Sequence, residues 1–150
     1  MNLAVKLCLT ASGIFFMTGL LTGVWKYLAI AASPTHQAHR YISTAHQAAL
    51  AYAFACLVLA RFAEFSPYPM GFTAGAAALA IVHFAFAIVA YVVHGIFQTT
   101  DNQFRPPHQL GRLRLGPMSV KALMWSLAIS EIAGSGMLFW GFLQTQVWGG

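Results

Sequence analysis

The residues best suited to chemistry lie in the stretch 33–47, which reads SPTHQAHRYISTAHQ. Ser33 can cap the first turn of a helix and Pro34 fits its first position, so the stretch predicts a helix start. At 100° per residue, four side chains fall within one narrow arc of that helix: His36, His39, Ser43 and His46. An apolar run, residues 48–60, follows directly. His46 therefore lies inside an apolar segment, where an ionisable group indicates a functional site.

Composition decides the class of protein. Of 150 residues, 59% are hydrophobic and only 7% are charged, whereas soluble domains carry about 25% charged residues. We therefore predict an all-α, four-helix transmembrane bundle, a single integral membrane domain over residues 1–150. Its helices are expected at about 5–29, 34–65, 70–99 and 118–143. The net charge of +5 is spread over loops, which indicates contact with the lipid bilayer and no nucleic-acid binding.

Basic residues predict the orientation. One side of the membrane would carry Lys26, Arg40, Arg105, Arg112, Arg114 and Lys121, and the other only Lys6 and Arg61. Cytoplasmic loops are enriched in lysine and arginine. We therefore expect a multi-pass protein of the bacterial inner (cytoplasmic) membrane, with both termini in the periplasm.

Depth in the membrane then groups the candidate residues. His46, Tyr91 and His94 are expected near the cytoplasmic ends of their helices. His83 and Glu131 are both expected about 20 Å deep, at 1.5 Å per residue. A lone carboxylate at that depth is costly, so we predict a buried polar pair between His83 and Glu131.

Heme binding is the chemistry that this pattern favours. A helical histidine can hold heme iron from one side, aromatic side chains can cover the macrocycle, and arginines suit its propionates. His46 is the predicted ligand, with Arg40 and Arg105 at the propionates. No CxxCH motif occurs, so the heme would be non-covalent, b-type. A histidine that only joins two helices is the alternative, and His36 with His39 could instead share a small metal ion.

Small residues at helical spacing predict close helix contacts in three places: Gly19/Gly23, Gly71/Gly75 and Ser126/Ser130/Gly134. Such contacts permit a homo-oligomer or a place in a larger membrane complex. Cys8 and Cys56 lie in different apolar segments without a CxxC motif, which is typical of small buried residues.

Residues 11–16 (ASGIFF), residues 20–25 (LLTGVW) and Ala45-His46 resemble the styrene oxide isomerase and hydroxylaminobenzene mutase type of small four-helix membrane proteins. The resemblance continues to Tyr91 in an aromatic third helix. It implies that His46 ligates a b-type heme acting as a Lewis acid, and that Tyr91 positions the substrate. The family has Asn-Gly where this chain has Tyr52-Ala53, so Tyr52 replaces a substrate-orienting group. The run HQAAL at 46–50 also resembles small heme-copper-oxidase-like membrane proteins, which implies heme used for electron transfer or gas handling.

Three hypotheses follow. The first is an isomerase-like enzyme, in which heme on His46 acts on a small apolar ligand from the bilayer and Tyr91 orients that ligand. The second is an electron-transferring heme subunit, in which His46 and His94 close both axial positions. The third is a non-catalytic accessory subunit of a larger membrane oxidoreductase complex, which would hold no cofactor.

Overall fold

The chain folds as an all-α bundle of four long helices, seen in a computed structural model that describes residues 1–149. The helices are α1 (Leu3–Ala32), α2 (Arg40–Glu64), α3 (Met70–Phe97) and α4 (Pro117–Gln146), and a short antiparallel hairpin of β1 (Gln109–Leu110) and β2 (Leu113–Arg114) precedes α4. Each helix is long and apolar enough to cross a membrane. The shortest, α2, has 25 residues and spans about 38 Å at 1.5 Å per residue, more than the ~30 Å hydrocarbon core.

The predicted start of α2 is wrong. Ser33 ends α1, and its carbonyl accepts a hydrogen bond from the His36 backbone at 3.0 Å. His36 adopts a left-handed conformation with φ 52°, which interrupts a right-handed helix. The helix begins at Arg40, where His39 caps it by accepting from the Tyr41 backbone N–H at 3.3 Å. His36 and His39 therefore lie outside the helix, and the predicted row of imidazoles does not form one helix face.

Helices α1 and α2 form the most extensive pair in the bundle. Their contact uses small residues, since a Cβ on Gly19 would lie 2.5 Å from the Leu50 side chain. The buried core between α1, α2 and α3 is rich in alanine and includes Cys8 and Cys56, both fully buried. Backbones approach closely where side chains are this small.

Helix α4 is attached mainly to α3 and buries little of its surface. Only Gly134, Leu138 and Gly141 are buried along its whole described length. At Gly134 an added Cβ would lie 2.6 Å from the Ala76 carbonyl oxygen. The predicted small-residue contact of α4 is thus present at Gly134.

The other glycine spacing behaves differently. Gly71 and Gly75 are exposed, and a Cβ on either would meet nothing within 4 Å. The GxxxG spacing at the start of α3 therefore faces outwards and makes no contact with another helix of this chain. The spacing at Gly19 and Gly23 does pack against α2.

Candidate functional site

His46 lies in a groove between α1 and α2, which we call the His46 groove and define by Gly19, Gly23 and His46. Its Nδ1 lies 2.8 Å from the Gly19 carbonyl oxygen. A Cβ on Gly23 would lie 2.9 Å from Cε1 of the imidazole. The ring therefore occupies space that exists because residue 23 has no side chain.

The hydrogen bond to Gly19 fixes the chemistry of the ring. A carbonyl oxygen only accepts, so Nδ1 carries a proton and donates it. In the neutral ring, Nε2 then carries a free lone pair. Within residues 1–149 it has no hydrogen-bond partner and is not fully buried. His46 thus presents an oriented, available ligand atom beside α1.

Tyr91 and His94 do not share a site with His46 in this chain. Both pack against Tyr41, with ring centroids 6.2 Å and 4.7 Å away respectively. Tyr41 and His46 are five residues apart on α2 and so point about 140° apart around its axis, at 3.6 residues per turn. Similar depth, on which the sequence prediction relied, does not bring these side chains to the same face.

Tyr91 and His94 instead line a cavity of about 200 Å³ between α3, α4 and the hairpin segment. We call it the α3–α4 cavity. Its polar lining is Tyr91, His94, Gln103, His108 and Gln109, and its remaining lining is apolar. Phe86 and Leu123 line it too and are both exposed on the outer surface, so the cavity reaches the lipid-facing side of the bundle.

Tyr41 holds the loop that covers this cavity through a hydrogen bond to the loop backbone. The backbone N–H of Gln103 donates to the Tyr41 hydroxyl oxygen at 2.6 Å, and the Gln103 carbonyl accepts from Nδ1 of His108 at 2.8 Å. Gly111 lies at the hairpin turn with φ 61°, where a Cβ would lie 3.1 Å from the Phe97 ring. Glycine permits both the backbone conformation and the close approach.

Glu131 has a different partner from the one its depth predicts. The Tyr52 hydroxyl donates to its carboxylate over 3.1 Å, and the Tyr52 ring stacks on Phe84 at 4.3 Å. His83 donates from Nδ1 to the Leu79 carbonyl at 2.8 Å, and its Nε2 lies 3.4 Å from the Ser126 hydroxyl. Tyr52 therefore provides the side-chain hydrogen bond that Glu131 needs at this depth, and His83 is bonded elsewhere.

The two predicted propionate ligands lie towards the same side of the membrane. Arg40 is exposed in the first turn of α2, and Arg105 is exposed in the loop between α3 and α4. Within residues 1–149, no group of three or more His, Cys, Asp or Glu side chains converges in a geometry that could hold a metal ion.

Three residues were not predicted from the sequence: Gln103 and His108, which line the cavity, and Tyr41, which contacts two of its lining residues. His108 lies in a loop interpreted as lipid-facing, and no periodicity marks it. The phenol of Tyr41 sits one residue after the first basic residue of α2, the kind of position usually assigned to interfacial anchoring. No protein-family model, curated protein or solved structure matches this chain.

Proposed function

We propose that this protein binds b-type heme in the membrane, and that Nε2 of His46 would hold its iron. The observation that carries the proposal is the hydrogen bond from Nδ1 of His46 to the Gly19 carbonyl at 2.8 Å. Histidines that ligate metals generally donate the other ring N–H to a carbonyl or carboxylate, which fixes the tautomer and the ring orientation. Gly23 supports the same role, because it leaves the space in which the ring is held.

The surroundings of His46 also fit the group. The imidazole is half-buried, and the same face of α2 continues with Leu50, which is half-buried, and Leu57, which is exposed. Arg40 lies six residues before His46, about 9 Å closer to the loop side of the membrane at 1.5 Å per residue. Arg40 and Arg105 would pair with the propionates, as arginine does with carboxylates.

A single protein ligand within one chain favours Lewis-acid chemistry over electron transfer. His94, the predicted second ligand, packs against Tyr41 and lines the α3–α4 cavity, away from the His46 groove. Held by one protein ligand, ferric heme would supply a Lewis acid for an oxygen or nitrogen–oxygen group, as in an isomerase. The electron-transfer alternative requires a second histidine from another chain.

The proposal includes a homo-oligomer and a small apolar substrate. Of the two predicted substrate-positioning residues, Tyr91 lies on α3 against Tyr41, and Tyr52 points about 120° away from His46 around α2. Within one chain neither hydroxyl orients a molecule at the His46 groove. A second copy packed against this outward groove would cover the heme and supply the missing wall.

The deciding experiment is the absorption spectrum of the detergent-purified chain from heme-sufficient cells. We expect a Soret band that shifts on addition of azide and is lost in His46→Ala. His83→Ala is the matched control, because His83 is also a membrane-embedded histidine that donates Nδ1–H to a backbone carbonyl. It should keep the band.

The other outcomes separate the alternatives. A Soret band indifferent to azide favours electron transfer with two protein ligands. A band that survives in His46→Ala refutes the ligand assignment. If the protein is folded and helical but shows no Soret band, His46 only joins α1 to α2 through its hydrogen bond. The accessory-subunit alternative is then favoured.

We also propose the bacterial inner membrane as the location, with both termini in the periplasm. The support is the unequal distribution of basic residues between the two ends of the bundle. Alkaline phosphatase, which is active only in the periplasm, should be active when fused after α4 and inactive when fused in the segment between α1 and α2. The reverse pattern would overturn the orientation.

A further inference from the structure

The α3–α4 cavity contains polar groups that the protein itself leaves unsatisfied. His94 is only 6% exposed, and its Nδ1 is fully buried without a hydrogen-bond partner, so Nε2 is the ring nitrogen left for a ligand in the cavity. An unpaired polar atom in a dry interior has a free-energy cost comparable to a lost hydrogen bond. Within residues 1–149, the Tyr91 hydroxyl and Nε2 of His108 also have no hydrogen-bond partner.

The tautomer of each imidazole follows from its contacts. Nδ1 of His108 donates to the Gln103 carbonyl, so its Nε2 is an acceptor in the neutral ring. For His94, a buried N–H without a partner is costlier than a buried lone pair, since orphaned N–H groups are the rarer of the two in proteins. The proton therefore belongs on Nε2, which is the nitrogen that is not fully buried. His94 and His108, which both line the cavity, then carry one donor and one acceptor.

The cavity limits the size of what it holds. Its volume is about 200 Å³, and an apolar cavity of about 150 Å³ is enough to hold benzene. A porphyrin is several times larger than benzene and does not fit here. The two exposed lining residues, Phe86 and Leu123, place its mouth on the lipid-facing surface, so the occupant would enter from the bilayer.

The loop that covers the cavity is held in position by contacts within the protein, without a ligand. The Tyr41 hydroxyl holds the Gln103 backbone, and Gln103 in turn orients His108. Tyr41 also stacks on His94 at 4.7 Å. One residue of α2 thus fixes both imidazoles, which reduces the ordering that binding would otherwise require.

We propose that the α3–α4 cavity is a binding site for a small, uncharged, mainly apolar molecule that carries one hydroxyl group, such as a phenol. His94 Nε2–H donates to the hydroxyl oxygen of the ligand, and Nε2 of His108 accepts its proton. The rest of the ligand lies against the apolar lining. This site is independent of the heme proposal, because His46 faces α1 on another side of α2.

The test uses the full chain in lipid nanodiscs with ¹⁵N-labelled histidine, titrated with phenol or with toluene. Toluene has nearly the same shape and lacks the hydroxyl. Both concentrations are corrected for partition into empty nanodiscs. We expect phenol to shift the His94 and His108 ring resonances and to bind at least roughly tenfold more tightly than toluene, as expected for two net hydrogen bonds.

Two variants locate the site. His94→Phe should show a smaller preference for phenol over toluene than the unmodified chain, because the donor is gone while the ring shape and the acceptor on His108 are kept. Ala90→Leu fills the cavity and should weaken binding of both probes by roughly tenfold or more. Ala51→Leu is the matched control, since Ala51 is exposed on α2 and does not line the cavity.

Each contrary result overturns the proposal. If the unmodified chain binds phenol and toluene equally well, the proposed hydrogen bonds to the ligand hydroxyl do not form. If Ala90→Leu binds both probes as the unmodified chain does, they do not bind in the α3–α4 cavity. Phenol shifts at His46 in place of His94 and His108 would locate binding in the other groove.

Discussion

The attachment of α4 to α3 depends on the absence of one side chain, which makes Gly134→Ala the sharpest test of the fold. A Cβ there would lie 2.6 Å from the Ala76 carbonyl oxygen and 3.1 Å from the Ala80 backbone nitrogen. Both are backbone atoms, so no side-chain rotation relieves the clash. Helix α4 must move away from α3.

Gly136 provides a control in the same helix. A Cβ on Gly136 would meet nothing within 4 Å, so Gly136→Ala should gain up to about 1 kcal/mol of helix propensity without a clash. Gly134→Ala has the same gain but incurs an overpacking cost of about 1–3 kcal/mol. At the upper end the variant also loses contacts at Leu138 and Gly141, the other buried residues of α4. We therefore expect Gly134→Ala to be less stable than Gly136→Ala by roughly 1–3 kcal/mol.

The measurement is unfolding in mixed micelles with increasing SDS, followed by circular dichroism. Gly134→Ala should unfold at a lower SDS fraction than the unmodified chain, and Gly136→Ala at an equal or higher one. If the two variants unfold together, α4 does not approach α3 at Gly134 and the packing described above is wrong.

Two further substitutions test contacts between the helices. Gly23→Ala would place a Cβ 2.9 Å from the His46 ring, so we expect this variant to lose heme on purification, as measured by pyridine hemochrome. Gly13→Ala is the control and should keep heme, because a Cβ there meets nothing within 4 Å. Equal heme retention in the two variants would contradict the role of the His46 groove. Tyr52→Phe removes the one hydrogen bond that Glu131 makes within residues 1–149, so SDS unfolding should show a loss of about 1–3 kcal/mol. Glu131→Gln should lose less, since an amide oxygen still accepts from Tyr52, and the opposite order would refute the pairing.

The membrane class and the number of helices could be predicted from the sequence with accuracy. A bilayer leaves a backbone few ways to satisfy its polar groups, so four long apolar stretches with few charges specify four helices. The ends were less well determined. Proline is compatible with the first turn of a helix, and it is equally compatible with the non-helical turn that the chain forms at Pro34. The left-handed backbone at His36 decides between the two.

For the candidate residues too, the sequence determines one property and the packing of the helices another. Their depth follows from the sequence, because each residue adds a fixed rise along a helix. Which neighbours they meet depends on how far each helix is rotated about its axis, and packing sets that rotation. His46 thus meets Gly19 of α1, and Glu131 meets Tyr52.

The sequence by itself determined that His46, His83, His94 and Glu131 lie in apolar helices, where polar groups must find partners or bind something. The tertiary structure decided which of them are satisfied. His83 and Glu131 bond within the bundle, whereas His94 lines a cavity and its buried Nδ1 has no partner within residues 1–149. The physical reason is that satisfaction depends on distances of about 3 Å between different helices, and no pattern within one helix fixes those distances.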